Sequence, residues 1–195
     1  MALRRAIALG LLLATAAALP WPRPARAEDL PPRSHALLLL RVLAYDRNVR
    51  QRAGSVLTVV LLSSPGDRAS EQRTSALREA FESVAREVVV EGLPVRVKAT
   101  PYRSAAALDE DLDSLHPALI LIDPELAPAL SDIVRLAHRH GVTTAGTRAM
   151  AEAGAAVGVA ARGGHATLYV NLAGARAEGA SFDPALLDLC EVIRE

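Results

Sequence analysis

Lysine occurs once, at position 98, and cysteine once, at position 190; the aromatic residues are three Tyr, two Phe and one Trp. Each scarcity excludes something. Phosphate binding needs clustered Lys and Arg. No such cluster is present, so neither nucleic acid nor an anionic lipid surface is an expected partner. One cysteine forms no internal disulfide. Cys190 falls in the apolar rhythm Leu186, Leu189, Cys190, Ile193, which predicts a buried thiol on a last helix, with a redox or intermolecular disulfide role as the alternative. There is no GxSxG elbow and no phosphate-cradling glycine loop after the first strand. The carboxylates Asp109, Glu110, Asp111 and Asp113 lack the ligand order and glycine of a calcium loop, so they read as a solvated helix face. No catalytic constellation, cofactor or metal site emerges.

The N-terminus carries its own signal. Arg4 and Arg5 precede an apolar core from Ala6 to Leu19, and Ala25-Arg26-Ala27 fits an A-x-A cleavage site. This pattern predicts a secretory signal peptide over residues 1–27 and a periplasmic destination. The apolar run is too short for a bilayer span, and prolines at 20, 22 and 24 end it. Cleavage after Ala27 removes 27 of 195 residues and leaves 168, enough for one domain. The remaining chain has 18 basic and 22 acidic residues, a charge of −4, and no direct membrane insertion is expected of it.

From residue 28 the pattern alternates. Ser34 is a candidate cap for a helix from His35 to about Gln51, apolar almost all round between Ala36 and Ala44. Such a helix is buried on most sides or shares one with a partner, which leaves a homodimer open. Val56–Leu62 and Ala118–Ile122 are fully apolar, as buried central strands are. Val95–Thr100 alternates with Arg96 and Lys98, as an edge strand does. Leu77, Ala80, Phe81, Val84 and Val88 mark an amphipathic helix, and Leu108, Leu112 and Leu115 another. Asp123-Pro124 opens a helix ending in His138, His140 and Gly141. Those two histidines lie two apart, on different faces, and read as dipole partners at a helix end, not metal ligands. His35, His116 and His165 are isolated. Gly163-Gly164 joins two β-rich segments as a hairpin. This order predicts a three-layer α/β sandwich with a mostly parallel sheet of the Rossmann or flavodoxin kind and an antiparallel C-terminal hairpin at one edge.

In such a sheet ligands bind outside the carboxyl ends of the strands. Those ends place Ser63, Ser64, Tyr102, Asp123, Thr147 and Arg148 in a candidate crevice.

The last forty residues resemble the YfiR/HmsC-like family of exported bacterial regulators. The resemblance rests on the strand Gly154-Ala-Ala-Val-Gly158-Val, the strand end Tyr169-Val170-Asn171-Leu172, then Ala175-Arg176, Gly179 and a leucine helix from Pro184 to Val192. It implies a non-catalytic periplasmic protein that binds and represses the periplasmic sensor region of an inner-membrane diguanylate cyclase, with biofilm control through cyclic-di-GMP downstream. The first helix lacks the aromatic-rich, Trp-Pro-terminated pattern common there, and the cysteine pairs of some members are missing. A repressor needs a surface that prefers one state of its partner. Arg41, Tyr45 and Arg47, of residue types that dominate interfaces, are the candidates. The alternative is a single-lobe small-molecule-binding protein related to transporter solute-binding lobes.

Overall fold

The computed structural model describes residues 30–163 and 165–194; the signal segment expected over residues 1–27 lies outside them. Helices α1 (Pro32–Ala44) and α2 (Val49–Ala53) lead into β1 (Leu57–Ser63), α3 (Arg68–Ala85), β2 (Val95–Pro101), α4 (Ala105–Leu115) and β3 (Leu119–Ile122). A 3-10 turn (Pro124–Ala129), α5 (Leu130–His140), β4 (Thr143–Thr147), α6 (Arg148–Glu152) and the hairpin β5 (Val157–Arg162) and β6 (His165–Asn171) follow. Helices α7 (Leu172–Ala177) and α8 (Pro184–Leu187) and strand β7 (Glu191–Ile193) complete the chain. The strands form one sheet in the order β2-β1-β3-β4-β5-β6-β7, parallel except for the β5–β6 pair.

Strand β1 shows why two helical layers are needed. All seven of its residues are buried, so both of its faces must be covered. Leu57, Val59 and Leu61 join one core with α1, α3 and Phe182, while Val60 and Leu62 join a second core with α4 and α5. Strand β2 carries the alternating, half-exposed pattern of an edge, and it is the edge. The chain runs outward from β1 to β2 and then returns past β1 to β3. The strand order therefore reverses between β1 and β3, where a doubly wound sheet leaves a crevice at its carboxyl side.

Three boundaries depart from the expected ones. Helix α1 begins at Pro32 and stops at Ala44, without a side-chain cap from Ser34. Asp46 breaks it: its buried carboxylate accepts from the backbone N–H groups of Asn48 (3.0 Å) and Ser181 (2.8 Å) and pairs with Arg52. A turn closed by a side chain replaces the helical ladder there. After Asp123, Pro128 has no N–H to give an i→i−4 bond, so the segment to Ala129 is a 3-10 turn and the α-helix proper starts at Leu130. The expected helix from Pro184 to Val192 ends at Leu187, and Glu191–Ile193 instead pairs parallel with β6. The β-branched pair Val192-Ile193 satisfies backbone groups that β6 would otherwise present as an open edge. The hairpin thus sits on the C-terminal side of the sheet, with β7 outside it. Cys190 lies between α8 and β7, half-buried, its Sγ donating to Leu187 O at 3.6 Å.

The resemblance-bearing residues have structural jobs. A Cβ on Gly158 would come within 2.8 Å of Ala151 Cβ and 3.0 Å of the Arg148 backbone, so only glycine lets α6 pack on β5. Gly154 and Gly179 have φ of +118° and +76° in tight reversals. Buried Asn171 caps α7, accepting from Gly174 N at 2.9 Å, and donates to Ala151 O at 2.9 Å. Leu172 packs against the first core.

Candidate functional site

A cleft of about 520 Å³ opens at the carboxyl ends of β1, β3, β4 and β5. Its floor includes Leu61, Leu121 and Val159; Leu77 of α3 and the Leu30–His35 segment form walls. Small residues line it where β5 and α6 meet it, Ala161 on the strand face of Val159 and Ala149 on α6. The surface is mostly apolar with a few convergent polar groups, the usual make-up of a small-molecule pocket.

Three of the six crevice residues expected from the sequence line this cleft, namely Asp123, Thr147 and Arg148. Ser63, Ser64 and Tyr102 do not. The loop after β1 folds onto the start of α3: Ser64 N donates to Ser70 Oγ (2.8 Å), and Ser70 N donates to Asp67 Oδ1 (2.8 Å). Ser63 is buried and its carbonyl accepts from Tyr102 N at 2.9 Å, continuing the β1–β2 ladder. Tyr102 packs against the second core, and burial pushes its hydroxyl above the usual phenol range, with Asp132 adding to the effect. The strand-end rule names one end of the sheet; the cleft takes the β1, β3, β4 and β5 ends of it and leaves out the loop after β1 and the end of β2.

Asp123 is not a free carboxylate. Arg73 donates to it from Nε (3.0 Å) and Nη2 (2.9 Å), and Glu125 N donates to Oδ1 (3.0 Å). It is both helix cap and half of a two-pronged ion pair. The hydrogen bond to Asp123 raises the Arg73 guanidinium above its ordinary value. Thr147 caps α6, its Oγ1 accepting from Met150 N at 3.3 Å. Arg148 donates from Nε to Glu152 at 2.7 Å, and its guanidinium carbon lies 5.0 Å from the centre of the Tyr169 ring. The ring's negative face holds the cation in place.

Arg73, Thr74 and His35 also line the cleft and were not among the expected site residues. A signal for Arg73 existed: it stands four residues before Leu77, on the apolar stripe of α3, where a charge is out of place. His35 stands four residues before fully buried Leu39 in the same way. Its Nε2 is shut from solvent with no hydrogen-bond partner among the described residues, and burial pushes the imidazole down to about 4.

The candidate interface residues sit elsewhere. Tyr45 and Arg47 border a shallow recess at the end of α1 with Val49, Glu91 and Asp183. Tyr45 is 37% exposed. Arg47 is committed to Asp183, donating from Nε (3.2 Å) and Nη2 (2.8 Å), and Asp183 N donates to Tyr45 O at 2.8 Å. Arg41 is exposed on α1, outside the recess. Of the histidine pair, His140 Nε2 lies 2.6 Å from Asp109 Oδ1, joining the end of α5 to the middle of α4, and His138 lies 4.0 Å from Glu178. No helix among the described residues is long and apolar enough to cross a membrane.

No family model matches the sequence, and no curated protein matches it. Solved structures do share the fold. A conserved domain protein from Vibrio cholerae aligns with a TM-score of 0.59 at 13% identity, covering 84% of this chain and 60% of that one. An ABC domain from Streptococcus pneumonia, in complex with L-Trp, aligns with a TM-score of 0.55 at 15% identity, covering 78% and 62%. A substrate binding protein with adhesive properties from Clostridium difficile, in its ligand-free, open form, aligns with a TM-score of 0.52 at 12% identity, covering 75% and 57%. The chain thus spans about three fifths of the length of these proteins. At such identities the likeness is one of fold: a mostly parallel α/β sandwich that solute-binding proteins also use.

Proposed function

We propose that this chain is an exported small-molecule-binding protein whose ligand occupies the cleft at the carboxyl ends of β1, β3, β4 and β5. The observation that carries the reading is the cleft itself, about 520 Å³ of mostly apolar space at the strand-order reversal. Two structural neighbours described as an ABC domain holding L-Trp and a substrate binding protein support a small organic solute as the ligand class. Binding, not catalysis, is the chemistry proposed: Asp123 is saturated by Arg73, and no nucleophile–base pair faces the cleft among the described residues. The test is thermal shift against a metabolite panel, with Ala161→Phe as the control. Ala161 lies two residues from Val159 on the same strand face, so a phenyl ring there fills the cleft. Saturable stabilisation that Ala161→Phe abolishes supports the reading; stabilisation that survives it places the ligand elsewhere.

A second reading, repression of the sensor region of an inner-membrane cyclase, is favoured by one observation. Tyr45 is among the few large apolar side chains left exposed among the described residues, beside a recess of mixed charge lined by Arg47, Arg50, Glu91 and Asp183. Tyr45→Ala should then weaken co-purification of a membrane sensor protein, and unchanged recovery would remove this reading.

A further inference from the structure

Resting on the cleft as the binding site, we propose that its ligand is a short apolar peptide, held extended beside the outer half of β5 as an added strand, with its main chain bonded to the N–H and C=O of Ala161. The strand registers place those two groups. The β4–β5 ladder stops at Thr147↔Val159, where the chain turns into α6. Strand β5 runs on to Arg162, paired there with β6 alone. Along an antiparallel pair, residues alternate between exchanging both backbone bonds with the partner strand and directing them to the other side. Asn171 N donates to Ala156 O at 2.9 Å, and these two residues face each other in the β5–β6 register. Counting from that pair, Gly158, Ala160 and Arg162 bond to β6, while Val157, Val159 and Ala161 direct their backbone groups to the β4 side. Val157 and Val159 meet β4 there, and Ala161 has no β4 residue opposite it.

The place beside Ala161 belongs to the cleft. Helix α6 leaves the plane of the sheet on the Gly158 face, where a Cβ on Gly158 would lie 2.8 Å from Ala151 Cβ. Val159 and Ala161 project from the opposite face, and both line the cleft. Ala160, Ala161 and Arg162 extend past β4 by about 10 Å, a length for about two or three ligand residues. A ligand residue opposite Ala161 puts its side chain on the face of Val159, beside Leu61 and Leu121, so a large apolar side chain belongs there. Main-chain bonds then supply docking and the side-chain pocket supplies selectivity, the division of labour in strand addition. An apolar compound without an amide leaves the Ala161 N–H and C=O unpartnered, at a cost in affinity. Charge plays no part in this assignment.

Neutral probes test this: N-acetyl-leucine N-methylamide and its phenylalanine counterpart, titrated into the purified protein and followed by calorimetry and by the Ala161 amide proton in heteronuclear NMR. Both should bind and move that proton downfield. Two analogues keep the leucine side chain and lose one donor each, N-acetyl-N-methyl-leucine N-methylamide and N-acetyl-leucine dimethylamide. The Ala161 C=O takes the first of these N–H groups if the added strand is antiparallel and the second if it is parallel. One of the two analogues should therefore bind about tenfold more weakly, the loss of one hydrogen bond. Ala161→Pro removes the N–H that faces away from β6, so the ladder to β6 stays whole and the melting curve should match the parent. It should weaken the blocked amino acids about tenfold. If both methylated analogues bind as tightly as the unmethylated compound, the peptide inference fails, whether or not Ala161→Pro folds. It fails too if a folded Ala161→Pro binds the blocked amino acids as the parent does. If they do not bind, but a metabolite does in a manner that Ala161→Phe abolishes, the inference fails while the cleft stands as the binding site. If neither the blocked amino acids nor a metabolite panel binds, the binding reading fails with it.

Discussion

Replacing Glu178 with glutamine should remove a loss of stability that the parent protein suffers as pH rises. Glu178 is fully buried against the start of β4, accepting from Thr144 N at 2.7 Å and lying 2.5 Å from Thr144 Oγ1. Burial pushes its carboxyl up to about 8 from an ordinary 4.5; the two hydrogen bonds to Thr144 and the charge of Arg52 oppose that rise without cancelling it. The folded chain therefore keeps a proton that the unfolded chain releases. Below pH 4.5 both states hold it and the group contributes its full stability. Between 4.5 and about 8 the folded state loses about 1.4 kcal/mol relative to the unfolded state for each pH unit. From pH 5 to pH 7 the loss reaches about 3 kcal/mol. Glutamine reproduces the protonated form, with an amide oxygen for Thr144 N and an amide N–H for Thr144 Oγ1. Urea unfolding of both proteins at pH 5, 6, 7 and 8 isolates this group, because every other titration is common to the pair. The difference in unfolding free energy should grow in favour of Glu178→Gln by about 3 kcal/mol between pH 5 and 7. Parallel curves would refute the reasoning and mean that Arg52 and His138, the latter 4.0 Å away, hold Glu178 as a carboxylate.

Other outcomes follow from the same geometry. His35 titrates with the opposite sign: its folded value of about 4 lies below the ordinary 6.5, so its contribution is whole above pH 6.5 and is lost as pH falls towards 4. In urea unfolding, His35→Leu should gain about 2 kcal/mol more at pH 5 than at pH 7. Arg73→Ala strands the buried Asp123 carboxylate and should cost about 3–5 kcal/mol, part of which Asp123→Asn restores in the double variant, measured by thermal and urea melts. Asn171→Ala removes the cap of α7 and the bond to Ala151 O, and should lower stability by about 2 kcal/mol in the same assay.

Much of the architecture is legible in local pattern. Apolar runs such as Val56–Leu62 mark a strand buried on both faces, the alternation around Lys98 marks an edge, and the 3.6-residue rhythm from Leu77 to Val88 marks a helix. Asp123-Pro124, Ser104 and Asn171 act as caps because capping depends on neighbours three residues away or fewer. Less was legible where long-range partners decide. The end of α1 at Ala44 depends on Asp46 meeting Ser181, 135 residues on. The last segment becomes β7 and not a helix because β6 offers an open edge beside it, while the rhythm Leu186, Leu189, Cys190, Ile193 suits a helix just as well; Leu189 ends up 73% exposed.

The site divides the same way. The strand-end rule led to Asp123, Thr147 and Arg148, because parallel order was already implied by the alternation of strands and helices. It also led to Ser63, Ser64 and Tyr102, which the folded loop after β1 turns away from the cleft. By itself, the sequence determined the periodicities, the caps and the end of the sheet at which a ligand could bind, since these follow from backbone geometry over a few residues. Only the tertiary structure decided that Arg73 occupies Asp123 and that a cleft is left open beside them. Charge compensation and unfilled volume are properties of side chains from distant segments brought together, and no local pattern records them.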